Sequence, residues 1–178
     1  MKVIDEFEFH ALCVECGVLV QLNAGFRLTS GSSTECRFVI ETEHLEFADL
    51  VLLANRLLWP EEDDQAPEGS GKPYAFWIGE TGVWNDVHES IANEAFGALL
   101  KGHGQNVHSK GLLFEDLDRT AAVVFVLHVL SFAWDAYLLP LSGLFVLHLS
   151  HDGYIEVKTR DNAMQTWLHS RLSAWEAK

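Results

Sequence analysis

Leu144-Phe145-Val146-Leu147-His148-Leu149-Ser150-His151-Asp152-Gly153-Tyr154-Ile155-Glu156-Val157-Lys158-Thr159 reads as two short strands folded back on each other, and it decides the fold class. The joint, His151-Asp152-Gly153, is the strongest hairpin signal in the chain, because Asp-Gly suits the positive φ angles of a type I′ turn. On either side of this pair, strands and helices come in blocks rather than in strict alternation. That pattern predicts an α+β fold with a largely antiparallel sheet: an N-terminal meander plus this C-terminal hairpin, packed with about four helices.

Downstream, a closing helix begins at Asp161 or Asn162 and carries Met164, Trp167, Leu168, Leu172 and Trp175 on one stripe. Upstream lies the most hydrophobic stretch, Ala121 to Leu139. His128, Ser131 and Asp135 interrupt it and the Arg119 side has no basic flank, which disfavours a membrane span and predicts a buried helix from Asp116 or Asp118 to about Trp134. A further helix is capped at Asn85 or Asp86 and runs to about Lys101, with Val87, Ile91, Ala95, Phe96 and Leu99 facing inward and Gly102 as its stop. Tyr74 to Ile78 reads as a strand before it.

At the N-terminal end, Phe7–Val14, Gly17–Asn23, Phe26–Thr29 and Cys36–Glu41 read as short strands broken by turn chemistry at Glu15-Cys16-Gly17, Asn23-Ala24-Gly25 and Ser30-Gly31-Ser32-Ser33. Gly17 to Leu22 is apolar almost throughout, which predicts a strand covered on both faces. From Leu45 the spacing turns helical through Leu57, with Trp59 and Pro60 closing the segment. Residues 60–73 hold three prolines, two glycines and five acids, so they form a long surface loop within one domain spanning 1–178.

The chain has 178 residues, 48% of them hydrophobic, with 11 Phe and 6 Trp. A chain of this size buries roughly 70% of the surface it exposes when unfolded, and it needs no staples. Three cysteines and no N-terminal apolar signal core predict a reducing, cytoplasmic location. Twenty-six acids against 12 bases give a net charge of −14. Residues 1–68 hold 14 of those acids and only 4 bases. Without a basic cluster, direct binding to nucleic acid or to an anionic membrane is disfavoured, whereas a large negative field favours steered association with a cationic protein.

Candidate chemistry is sparse. Cys13-Val14-Glu15-Cys16-Gly17, preceded by His10 and followed by Cys36, presents half of a zinc ligand set, but no second pair follows at short spacing. Cys13 and Cys16 are read instead as packed side chains, and no metal or cofactor is expected. His148, His151 and Asp152 place imidazoles near a carboxylate, the composition of an acid–base site, yet His148 and His151 have opposite strand parity and Ser150 lacks a nucleophile elbow. No P-loop, dinucleotide fingerprint, His-Glu-x-x-His or EF-hand loop is present.

The remaining surface feature is the acidic loop, Glu61, Glu62, Asp63, Asp64 and Glu68, with Trp77 and Trp84 after it in the composition of an interface hot spot. Charge, size and motif content together point to a non-catalytic protein-binding module, most concretely an intracellular acidic inhibitor of a basic, nuclease-like enzyme, as a bacterial immunity protein is. Two alternatives are a small zinc domain or enzyme built on the cysteine or histidine groups, and a subunit of a homo-oligomer. Neutralising Glu61, Glu62, Asp63 and Asp64 together is expected to slow association with a cationic partner while leaving the urea midpoint almost unchanged.

Overall fold

The computed structural model describes residues 1–21, 27–29, 36–58, 73–80, 86–102, 104, 110–115 and 118–175. Its elements run β1 (Lys2–Ile4), α1 (Glu6–Glu15), β2 (Leu19–Gln21), β3 (Arg27–Thr29), β4 (Cys36–Glu41), α2 (Phe47–Leu58), β5 (Tyr74–Glu80), α3 (Asp86–Gly102), β6 (Gly111–Phe114), α4 (Arg119–Ser131), β7 (Asp135–Pro140), β8 (Phe145–Ser150), β9 (Tyr154–Thr159) and α5 (Asn162–Leu172). Seven strands form one antiparallel sheet in the order β1-β6-β5-β7-β8-β9-β4, and β2 and β3 pair in a separate two-stranded sheet. The expected α+β class is the observed one.

The N-terminal meander is present only in part: β2 and β3 lie within expected strands and pair with each other, and β4 has the expected bounds, but β4 pairs with β9. Phe7 to Val14 lies in α1, which Asp5 starts: its carboxylate accepts the Glu8 N–H at 2.8 Å, and the Glu8 carboxylate accepts the Asp5 N–H at 3.0 Å. This reciprocal capping box satisfies two N–H donors that a bare helix end leaves unpaired. Phe9 and Cys13, four residues apart, turn inward while Phe7 and Val14 face outward, so apolar residues sit on both sides and the helical period is blurred. The expected strand from Gly17 reduces to β2, with Val18 buried and Leu19 exposed, so it is covered on one side only.

The central strands bury both of their faces. On one, Tyr74, Phe76, Ile78, Ala136, Leu138, Phe145, Leu147 and Leu149 meet residues of α2, α3, α4 and α5 in the main core. On the other, Ala75, Trp77, Tyr137, Leu139 and Val146 meet Phe9 and Cys13 of α1 together with Ile4 and Val18. The period-2 alternation of a strand thus serves two separate cores.

The run Ala121 to Leu139 is a helix and a strand rather than one helix. α4 ends in a Schellman arrangement, with the Trp134 N–H donating to the Val129 carbonyl at 3.0 Å and the Ala133 N–H to the Leu130 carbonyl at 3.4 Å. Ala133 takes φ 48° there, the left-handed position usually filled by glycine. β7 then runs back through the middle of the sheet, pairing with β5 and β8. β6 also goes unseen in the sequence, being four residues long and opening on a glycine. Gly111 passes so close to β1 that a Cβ there would lie 2.6 Å from the Ile4 carbonyl oxygen.

α3 spans the expected segment and buries Phe96 as expected, with Leu99 half-buried against the core, but Ala92 and Leu100 complete its buried stripe and Ile91 faces solvent. α5 agrees with the sequence: Asp161 caps it by accepting the Met164 N–H at 2.6 Å, and Met164, Trp167, Leu168 and Leu172 are buried. The β8–β9 hairpin is present with a different turn. Ser150 pairs with Tyr154, leaving three residues in the loop, and Gly153 alone among them has positive φ, at 78°. That is the three-residue loop with a left-handed final residue, not the two-residue type I′ turn.

His128 of α4 is buried among Phe132, Trp134 and Phe96, at ring-centroid distances of 4.6, 4.9 and 5.6 Å. Burial pushes its pKa down to about 4, although a hydrogen bond to the Ala92 carbonyl works the other way. Between pH 6.5 and about 4 the unfolded chain therefore takes up a proton that the folded one refuses, and stability falls as the pH is lowered through that window. At about 1.4 kcal/mol per unit, the loss is on the order of 3 kcal/mol by pH 4. Urea unfolding of His128→Phe should show a correspondingly shallower loss between neutral and acid pH than the parent chain.

Candidate functional site

Across the sheet, the directly paired residues Trp77, Tyr137, His148, Glu156 and Val39 form one row on the face that α1 partly covers. The row changes character along its length. Trp77 and Tyr137 belong to the core beneath α1, while beyond them the same face of β8 and β9 carries ionisable groups. The Tyr137 ring lies flat against the His148 imidazole, with centroids 4.7 Å apart and planes inclined by 11°.

Asp135, at the start of β7, organises this polar end. Its Oδ2 accepts from His151 Nδ1 at 2.7 Å, its Oδ1 accepts the His151 backbone N–H at 3.1 Å, and His148 Nε2 lies 3.3 Å from the same Oδ1. Burial pushes the Asp135 carboxyl up, but the hydrogen bonds from His148 and His151 and the nearby His151 charge outweigh it, and the net shift is downward. His148 Nδ1 is 3.9 Å from Glu156, and His151 Nε2 is 3.4 Å from the exposed Asp152. Glu156 is itself buried and paired with Arg37 and, at 2.9 Å, with Lys158. A buried carboxylate is tolerated on such terms only, because an unpaired one costs several kcal/mol.

The histidine group of the sequence is thus assembled, and the parity objection does not apply: His151 sits in the turn, where strand alternation has ended. The missing member is Asp135. Its signal was a lone carboxylate within an apolar run, which needs a partner if it is buried. Chemically, the cluster holds His151 by its ring Nδ1 and its backbone N–H and ties the hairpin turn to the neighbouring strand. Ser150 is not aimed at it, since its Oγ accepts the Asp152 N–H at 3.2 Å.

The cysteine group comes apart. His10 is exposed on α1, Cys13 is buried beneath it, Cys16 caps the helix with its thiol 3.5 Å from the Leu141 carbonyl, and Cys36 lies in the edge strand β4. Burial raises the Cys13 thiol to about 12, and burial also raises the Cys16 thiol. Among the described residues, no three His, Cys, Asp or Glu side chains are placed to hold a metal ion. Trp77 is only 8% exposed and stacks on Phe9 with centroids 5.3 Å apart, so it is core rather than an interface anchor. Glu61, Glu62, Asp63, Asp64, Glu68 and Trp84 lie outside the described residues.

A second surface went unremarked in the sequence. Phe7 on α1 is 82% exposed, Val14 on the same helix 63% and Leu19 just after it 56%. At 100° per residue Phe7, Ala11 and Val14 share one stripe, with Glu6 on one side and Glu15 on the other. An alternation of inward and outward apolar pairs, Phe7 with Phe9 and Cys13 with Val14, was the available sign that a helix with two apolar faces begins here.

Asp135→Asn keeps the side-chain shape and removes the charge that both imidazoles share. It should lower stability by about 1–3 kcal/mol at neutral pH and speed amide exchange at His151, as read by urea unfolding and hydrogen-exchange NMR. Because the parent Asp135 pKa is depressed, the stability it adds is present at neutral pH and is lost as the pH falls through that lowered value, and the Asn variant should lack this part of the acid transition.

No protein-family model matches this chain, and no curated protein or solved structure matches it either.

Proposed function

We propose that this chain is a non-catalytic protein-binding module whose acidic surface engages a cationic protein, most concretely as an inhibitor that neutralises a basic, nuclease-like toxin or enzyme in the way a bacterial immunity protein does. The observation that carries the reading is the charge: 26 acids against 12 bases. Intramolecular pairing leaves that net charge of −14 unchanged but engages several of the bases. Lys2 is held by Glu8, and Arg37 and Lys158 share Glu156, so three of the few bases are already spent inside the molecule. The acids left over have no equal number of cations to meet, and a partner carrying Lys and Arg supplies them.

A field of this sign raises the association rate with a basic protein and screens out acidic competitors. Its range is set by the Debye length, about 30 Å at 0.01 M salt and about 8 Å at 0.15 M, so binding driven this way weakens steeply with ionic strength. Nucleic acid and anionic lipid are repelled by the same field. Among the described residues no helix is long and apolar enough to cross a membrane.

Immobilised protein should retain a basic enzyme from extract of its source at low salt, release it as salt rises, and inhibit that enzyme at a fixed molar ratio. Recovery of no cationic protein, or retention indifferent to salt, would rule the reading out.

A further inference from the structure

We infer that the outward face of α1, made by Phe7, Ala11 and Val14, is where the cationic partner docks. This inference rests on the partner-binding reading and adds a place to it. Most surface apolar residues are scattered singly and mean little. Here Phe7 and Val14, seven residues apart, stand two turns apart on one stripe, and both are well exposed. α1 has already buried Phe9 and Cys13 against the sheet. Among the described residues its second apolar face adds nothing to the core, and leaving it in water is a cost that a partner removes on binding.

Charge selects which partner. Three occupants could cover an apolar stripe: a second copy, a lipid surface or another protein. In a two-fold contact between copies, Glu6 and Glu15 of one α1 face the same residues of the other, and each copy brings a net charge of −14. Like charges so placed cost energy at every salt concentration at which the contact is not screened. Anionic lipid meets the same obstacle. A protein that presents an apolar knob ringed by Lys and Arg meets none of it, since its cations fall on Glu6 and Glu15 as its apolar side chain covers Phe7 and Val14.

Glu15 sharpens the choice further. It lies in the last turn of α1, and that turn has no basic residue. A carboxylate at the negative end of a helix dipole is unfavourably placed, and a partner's cation beside Glu15 adds to the Arg160 guanidinium that already lies against Gly17 just past this end. Glu8, by contrast, is already engaged by Lys2 and by the Asp5 N–H, so the carboxylates of the docking rim are Glu6 and Glu15, with the exposed His10 beside Glu6.

The test uses the full chain, with a synthetic amphipathic helical peptide of leucine and lysine as probe and its leucine–glutamate counterpart as control. The lysine peptide should bind at low salt, with NMR shift changes concentrated on α1, while the glutamate peptide should not. Phe7→Ser with Val14→Ser should weaken binding about tenfold or more, as the loss of central apolar contacts does elsewhere. The melting temperature should hold, because both positions face solvent. Glu6→Gln with Glu15→Gln should flatten the salt dependence of what binding remains. The wild-type shift map stands on its own should the serine variant fail to fold.

Shift changes centred elsewhere, or equal binding by the serine variant, would overturn this face and leave the acidic-module reading in place. Equal binding of both peptides would overturn it as mere stickiness. Light scattering that shows a dimer broken by the two serines would assign the stripe to a second copy instead. Absence of any salt-sensitive binding would overturn the face and the partner reading together.

Discussion

A strand that buries both faces has to be covered twice, and β5 and β7 at the middle of the sheet impose that requirement on everything around them. Tyr74, Phe76 and Ile78 of β5 point to one side while Ala75 and Trp77 point to the other, and Ala136 and Leu138 oppose Tyr137 and Leu139 in the same way on β7. Four helices, α2 to α5, supply the first cover. The second is small: α1 and the segment around Val18. Each buried side chain of this kind is worth about 1.5–3 kcal/mol relative to exposure, so neither face can be left in water. Where the second cover stops, the sheet changes its chemistry, and His148, Glu156 and Lys158 take over from the apolar residues. The polar cluster and the reach of α1 are two aspects of one boundary.

What the sequence disclosed follows from how locally each element is specified. α2, α5 and the β8–β9 hairpin carry one clean apolar stripe or a glycine turn, and they stand where the sequence puts them. α1 misled because its two apolar faces defeat a reading based on a single stripe; the decisive sign was Asp5 with Glu8, a capping pair rather than a period. The end of α4 was hidden because Ala133 occupies a position at which glycine is the usual marker. That single unmarked reversal concealed β7, and with it Asp135, so the histidine group could be seen but the residue that joins it could not. Long-range pairing was beyond reach for the same reason: nothing local in Gly111–Phe114 announces that β1 and β5 both lie beside it.

The acidic excess acquires a location through the fold. Bases that pair inside the molecule, Lys2, Arg37 and Lys158, are attached to the capping box and to the buried Glu156, positions at which a charge is needed to hold structure. Glu6 and Glu15 flank a stripe of α1 that the fold leaves in solvent. The helix therefore works on two sides at once, its inner residues sealing the sheet and its outer residues presenting an apolar strip between acids. Proteins seldom keep such a strip exposed without a use for it.

The strand order also sets a sequence of events during synthesis. Among the described residues β4 pairs with β9 alone, whose residues follow it by more than a hundred positions, and β1 is likewise bound to β6 far along the chain. Both edges of the sheet are therefore early segments that must wait for late ones. Until the β8–β9 hairpin has left the ribosome, β4 is an unpaired strand with Phe38 and Ile40 uncovered, the kind of segment that chaperones hold and that aggregates when they do not. Loop closure over such separations makes folding slow relative to a helical bundle of the same size. The C-terminal hairpin is in that sense the closing step of the whole sheet, and a truncation that removes it leaves the other strands without the template that completes them.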